Sequence, residues 1–151
     1  MGRWKLHHLG IEVRDLDRAV EYFESLGVGE FQPEVQWDNQ TYYTDYKMRG
    51  KSPATTVKNR MRSLQLDSLL IELFQPIEGD SIHSEFLKSS GEGLSTIAFT
   101  VDDLEQETSR LAKNGFKVIS SARTQKGAAF NYFDTRRFGN VLIELIQPAA
   151  R

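Results

Sequence analysis

Residues 71–76 read Ile71-Glu72-Leu73-Phe74-Gln75-Pro76, and residues 143–148 read Ile143-Glu144-Leu145-Ile146-Gln147-Pro148. The two hexapeptides differ at one position and start 72 positions apart. A second pair of stretches lines up in the same order. His8-Leu9-Gly10-Ile11-Glu12-Val13-Arg14-Asp15-Leu16 matches Thr96-Ile97-Ala98-Phe99-Thr100-Val101-Asp102-Asp103-Leu104 at a spacing of 88, which Gly27 and Gly115 keep. Two blocks matching in one order argue for a duplication. The shorter spacing of the second block means that the first copy carries extra residues, and the polar stretch 38–60 is where they fall.

Each copy opens with a strand. Leu9, Ile11 and Val13 alternate with His8, Gly10 and Glu12, as Ile97, Phe99 and Val101 alternate with Thr96, Ala98 and Thr100. A helix follows in each. Leu16, Val20, Phe23 and Leu26 form one apolar stripe, closed by Gly27; Leu104, Thr108 and Leu111 form the other, closed by Gly115. Asp102 and Glu105 have capping-box spacing. Three strands then complete each copy, over about 30–37, 60–66 and 69–75 in the first and 117–121, 128–133 and 140–147 in the second. Each copy is a βαβββ module, spanning about 5–77 and 93–149 of one domain, 1–151. A short helix over about 81–89 joins them.

Composition sets the class. The chain has 151 residues, 39% hydrophobic and 26% charged, with a net charge of −2. That is ordinary globular usage and gives no support for nucleic acid as a partner. The absence of cysteine excludes disulfides, thiolate zinc sites and a thiol nucleophile. No apolar run reaches the ~18 residues of a membrane span. Residues 1–6 lack the apolar region of a signal peptide. A cytoplasmic protein is expected.

The repeated glutamate carries the chemistry. Leu70, Glu72 and Phe74 share one strand face, as do Leu142, Glu144 and Ile146. A carboxylate between apolar neighbours on an inward face must be neutral, hydrogen-bonded or bound to a cation. The plain alternative is an edge strand facing water. If the His8 face lines the same interior, one imidazole and two carboxylates suit a divalent metal: Mn, Fe, Co, Ni or Zn, or Mg. His7 points the other way. His83 falls on the joining helix and is expected to be exposed. The 38–60 insertion places Tyr42, Tyr43 and Tyr46 beside Lys47, Arg49, Lys51, Lys58 and Arg60. It reads either as a solvated loop or as a flap that stacks on a ring or clamps an anion. Phe130, Tyr132 and Phe138 line either cup or core.

These residues resemble the vicinal oxygen chelate, or glyoxalase/bleomycin-resistance/dioxygenase, superfamily, nearest to its methylmalonyl-CoA epimerase-like branch. The likeness rests on His8-Leu9-Gly10-Ile11, Ile71-Glu72-Leu73, Gly91-Glu92-Gly93-Leu94, Phe99-Thr100-Val101-Asp102-Asp103 and Val141-Leu142-Ile143-Glu144-Leu145. It implies an α+β fold in which the two modules form an eight-stranded open cup. It implies a metal at the cup floor, on the positions His8, Glu72, Thr96 and Glu144. Glu144 or Glu72 would move a proton, and Thr96, Phe74, Tyr42 and Tyr46 would meet the substrate. A homodimer is common in this fold class. The chain departs from the family pattern at Gly93-Leu94-Ser95-Thr96, where epimerase and glyoxalase relatives read Gly-Leu-His-His. Thr96 thus stands where a histidine ligand is usual. The epimerases' additional acid–base carboxylate has no counterpart in 60–66.

Three functions follow. The first is a metal-dependent isomerase, epimerase or lyase on a small oxygenated metabolite or acyl thioester, working through an enolate-like intermediate. The second is a metal-free protein that sequesters a small molecule in the cup, which Thr96 favours. The third is a non-haem iron dioxygenase, whose usual two-histidine, one-carboxylate triad Thr96 interrupts.

Overall fold

The computed structural model describes residues 4–151; residues 1–3 of the N-terminal stretch read above lie outside them. The first module contains β1 (Lys5–Glu12), α1 (Leu16–Ser25), β2 (Val35–Asp38), β3 (Lys47–Met48), β4 (Lys58–Leu66) and β5 (Leu69–Glu78). α2 (Ile82–Ser90) leads to β6 (Gly93–Thr100), α3 (Leu104–Lys113), β7 (Val118–Arg123), β8 (Ala129–Phe133) and β9 (Leu142–Gln147). The strands form one mixed sheet in the order β2-β4-β5-β1-β6-β9-β8-β7-β3. It curls into a half-barrel.

The duplication is visible in the register. β1 runs parallel to β5 with Gly10 opposite Glu72, and β6 runs parallel to β9 with Ala98 opposite Glu144. The modules meet where β1 and β6 pair antiparallel. The repeated glutamine has a matching task in each half. Gln75 Oε1 accepts the backbone N–H of Leu16 at 2.9 Å, and Gln147 Oε1 accepts that of Leu104 at 2.8 Å. Each satisfies a donor that the first helical turn leaves unpaired. Asp15 and Asp103 are the N-caps, accepting from the N–H groups of Arg18 and Gln106. The cap of α3 is therefore Asp103, not Asp102, because helical dihedrals begin at Leu104 and a capping oxygen must reach the N–H three residues on.

The alternation sorts side chains onto two faces. On the convex side Val13, Leu16, Val20, Leu64 and Leu73 pack under α1, and Val101, Leu104, Leu111, Phe133 and Leu145 pack under α3. Leu16, Leu73 and Leu145 are fully buried, and removing each such side chain from water contributes ~2–3 kcal/mol. The concave side takes His8, Gly10 and Glu12 of β1, Glu72 and Phe74 of β5, and Tyr132 and Glu144 of β8 and β9. Gly10 lets these neighbours approach: a Cβ would stand 3.2 Å from Thr96 Cβ and 3.3 Å from the Phe74 ring, tighter than ordinary contact.

The insertion adds a ninth strand to the expected eight. After β2 at one edge of the sheet, the chain crosses to the opposite edge. There Tyr43 bridges to Thr124, Lys47 and Met48 pair with Ser121 and Ser120, and Thr44 N–H donates to Arg123 O at 2.9 Å. It then returns to β4, where Asn39 N–H and Val57 O close the base at 3.2 Å. The insertion thereby forms a strap from one edge of the sheet to the other. Tyr43, Tyr46 and Val57 fill its mouth against Trp37, Phe74 and Ala122. Phe130 and Tyr132 join the cup wall, whereas Phe138 is 78% exposed and lines neither cup nor core.

Candidate functional site

Three strands bring His8, Glu72 and Glu144 together. His8 Nε2 stands 3.1 Å from Glu72 Oε2 and 3.3 Å from Glu144 Oε2. His8 and Glu144 are buried, and Glu72 is nearly so. Burial opposes a charge on His8, yet the carboxylates of Glu144 and Glu72 outweigh it and raise the imidazole above its ordinary range. Burial also raises the Glu72 carboxyl, an effect that His8 offsets in part. Tyr43 and Tyr132 cover these groups. Burial holds both phenols well above their usual range, and Glu144 and Glu72 push in the same direction. Thr96 is also buried. It pairs with Gly10 and Leu142, one same-face step from His8 and Glu144.

The cup collects unsatisfied polar atoms. Among the described residues, five buried side-chain atoms have no hydrogen-bond partner: His8 Nε2, Glu12 Oε2, Asn59 Nδ2, His83 Nε2 and Glu144 Oε2. His8, Glu12 and Glu144 lie on the concave strand faces. Asn59 sits opposite the inward Trp37. His83 packs against Trp37 and Phe74. Buried groups of this kind are rarely left unpaired unless an ion, water or ligand meets them.

The donor chemistry of His8, Glu72 and Glu144 fits a divalent cation. Neighbouring ligands ~2.1 Å from one ion at right angles are ~3.0 Å apart, which the two contacts of His8 approach. As placed, no three His, Cys, Asp or Glu among the described residues already surround a common metal position. The three groups meet one another instead.

The other sequence expectations divide. Phe74 and Tyr46 are buried in the cup cluster, while Tyr42 is 42% exposed. Tyr43, not Tyr42, is the ring turned inward over the carboxylates. Two of the insertion's cations are paired with carboxylates of this chain. Arg60 pairs with Glu34 and Asp17, and Arg49 makes a two-pronged pair with Glu85 of α2. His83 is not exposed as expected. It is 1% exposed, because Phe86 and Ile82 seat α2 against the cup and carry His83 inward with them. Its partner Glu12 was legible on the His8 strand face; nothing in the sequence around His83 singled it out.

The match to known proteins extends over nearly the whole chain. Residues 7–134 match the family model described as the Glyoxalase/Bleomycin resistance protein/Dioxygenase superfamily. The uncharacterized protein YqjC of Bacillus subtilis (strain 168) is 25% identical over 147 residues, covering 95% of this chain and 92% of YqjC. Methylmalonyl-CoA epimerase from Mycobacterium tuberculosis superposes with a TM-score of 0.61 at 25% identity, over 97% of this chain and 89% of that one. A Streptomyces coelicolor methylmalonyl-CoA epimerase in complex with 2-nitronate-propionyl-CoA gives 0.63 at 22%, over 97% and 98%. A hypothetical protein from Bacillus halodurans C-125 gives 0.64 at 23%, over 98% and 96%. The paired modules, the shared register of Glu72 and Glu144 and the span of the family match lead to one conclusion: the chain belongs to the glyoxalase/bleomycin resistance protein/dioxygenase superfamily.

Proposed function

We propose that the cup is the active site of a metal-dependent isomerase, epimerase or lyase acting on a small oxygenated metabolite or its acyl thioester. One observation carries the reading: His8 Nε2 converges with Glu72 Oε2 and Glu144 Oε2 at 3.1 and 3.3 Å, in a setting where His8 and Glu144 are buried and Glu72 nearly so. His8, Glu72 and Glu144 would hold the ion. Thr96 contributes only a neutral hydroxyl beside them, which favours harder cations such as Mn or Mg over Zn. When bound, such a cation supplies Lewis-acid stabilisation of charge developing on substrate oxygens. The chain's own residues do the rest. Glu144 or Glu72 moves a proton within the cup. Trp37, Tyr43, Phe74 and Tyr132 exclude water and strengthen every charge interaction inside. The solved relatives named as epimerases of a CoA thioester support the thioester class. A cytoplasmic homodimer completes the proposal; no helix of the described residues is long and apolar enough to cross a membrane.

A second reading has its own support. Thr96 in place of a histidine, together with the strap that seats Tyr43 in the cup mouth, suits a metal-free protein that holds a small molecule.

Metal analysis of protein purified without chelators or a histidine tag separates the two. Near-stoichiometric metal, abolished by Glu144→Gln, is the expected result. Wild type that stays empty after addition of Mn, Co, Ni or Zn, while Thr96→His gains metal, would mean a lapsed metal site and turn the search to ligands of a metal-free cup.

A further inference from the structure

The cup holds a second polar pair that the reading above leaves without a task. His83 of α2 and Glu12 of β1 are both fully buried, and their Nδ1 and Oε1 atoms are hydrogen-bonded. Ser95 donates to the same Glu12 oxygen at 3.0 Å, and its hydroxyl stands 3.3 Å from that of Thr96. The far atoms, His83 Nε2 and Glu12 Oε2, are buried and unpartnered.

The imidazole packs among the aromatic side chains that neighbour the His8 group. It stacks on Phe74 with ring centroids 4.2 Å apart, and Trp37 and Tyr132 lie at 5.4 and 6.1 Å. Phe74 shares its strand face with Glu72, and Tyr132 pairs with Glu144. A buried histidine–carboxylate pair can simply fasten a helix to a sheet. That task does not need Nε2, and Ile82 and Phe86 already bury the apolar side of α2. An orphaned Nε2 costs free energy unless something in the cup meets it. A ring that donates Nδ1–H to Glu12 would present its Nε2 lone pair as a base, the carboxylate favouring that tautomer.

We propose that His83, positioned by Glu12, is the acid–base residue for a carbon acid bound beside His8, Glu72 and Glu144. The inference rests on the enolate-forming reading above and gives the proton from carbon to His83, leaving Glu72 and Glu144 to hold the ion. The bond from hydrogen to the carbon next to the carbonyl breaks as an N–H bond forms at His83 Nε2. The electron pair moves toward the carbonyl oxygen, giving an enolate. The imidazolium stays paired with Glu12. Return of the proton from Nε2 to the same carbon restores His83, and its delivery to a neighbouring carbon on the same face yields the isomer. α2 thus brings an imidazole to the cup from outside the duplicated strands.

The test has two arms. In the first, Mn-loaded protein is incubated in deuterium oxide with propionyl-CoA or dihydroxyacetone, and deuterium uptake is read by mass spectrometry beside metal content. Wild type is expected to exchange. His83→Gln lowers the rate ~100-fold or more and Glu12→Gln ~10-fold, each at wild-type metal content, and Glu12→Asp recovers part of the loss. In the second arm, nitrogen NMR of metal-free wild type shows His83 protonated at Nδ1, and Glu12→Gln mixes the tautomers. This arm needs neither activity nor a foldable His83 variant. Wild-type exchange by metal-loaded His83→Gln overturns the inference and leaves the metal site standing. So does a wild-type His83 protonated at Nε2 alone. A loaded wild type that exchanges neither probe overturns it too. Wild type that takes up no metal overturns the reading of the site itself, and this reaction with it.

Discussion

His8 Nε2 stands 3.1 Å from Glu72 Oε2 in the shelter of the cup, and both groups titrate above their ordinary ranges. The two shifts act on stability in the same sense. A histidine with a raised folded pKa adds stability that is complete below its unfolded value near 6.5 and is lost as pH rises through the folded value. A carboxyl raised by burial likewise favours the fold while protonated and weakens it as pH rises past 4.5 and through its folded value. Through this pair metal-free protein should lose stability between about pH 6 and about pH 8, against an opposite pull from His7, whose imidazole is held below its ordinary range by burial and by His8. A divalent cation needs the imidazole and carboxylates deprotonated. Added Mn should raise the melting temperature more at the higher pH. Equal Mn shifts at both pH values would count against coupling through this pair.

Glu72→Gln isolates the cost of the buried charge. It keeps the side-chain shape and removes the ionised form that burial disfavours. At about pH 8 and without metal, the variant should melt at or above the wild-type temperature, and it should lose the Mn-induced rise. A substitution that lowers stability equally with and without Mn would show Glu72 to be a structural residue.

The halves of the molecule differ in how much of them was readable beforehand. The repeat of Ile71–Pro76 at Ile143–Pro148 and the alternation of Leu9, Ile11 and Val13 with His8, Gly10 and Glu12 were enough for the module order and for the strand faces. They put His8, Glu72 and Glu144 on one side because face and register follow from a period of two. The strap was not readable that way. Its placement depends on Tyr43 and Lys47 finding β7, a partner far away in sequence, through backbone pairing that any residue can make. His83 was missed for a related reason. A single histidine in a short helix carries no periodic signal, and its burial is set by how Ile82 and Phe86 dock α2.

The helix-start glutamines give a stability test that is independent of function. Gln147→Ala leaves the Leu104 N–H without its acceptor and should cost ~1 kcal/mol. Gln75→Ala does the same for Leu16 and also removes an acceptor from Arg60, so its loss should be at least as large. The two sites share no partner, and denaturant unfolding of the double variant should give the sum of the single losses. Strong non-additivity would mean that the modules do not carry these contacts independently.

The strap predicts opposite outcomes for adjacent tyrosines. Tyr43 is 6% exposed, meets Trp37 edge to face at 5.2 Å and lies 5.3 Å from Phe130. Truncating a buried aromatic of this kind costs ~3–5 kcal/mol through lost burial and the cavity left behind. Tyr42 is exposed and touches chiefly Tyr43, so Tyr42→Ala should stay within ~0.5 kcal/mol of wild type. Arg49→Ala, which breaks an exposed pair with Glu85, should cost no more than ~1 kcal/mol. Tyr43→Ala should also shift Trp37 emission to longer wavelength as water enters the cup mouth, with Tyr42→Ala leaving it unchanged. Equal effects of the two tyrosine variants on stability and emission would mean that the strap does not seat in the cup, and the water-excluding role given to Tyr43 would fall with it.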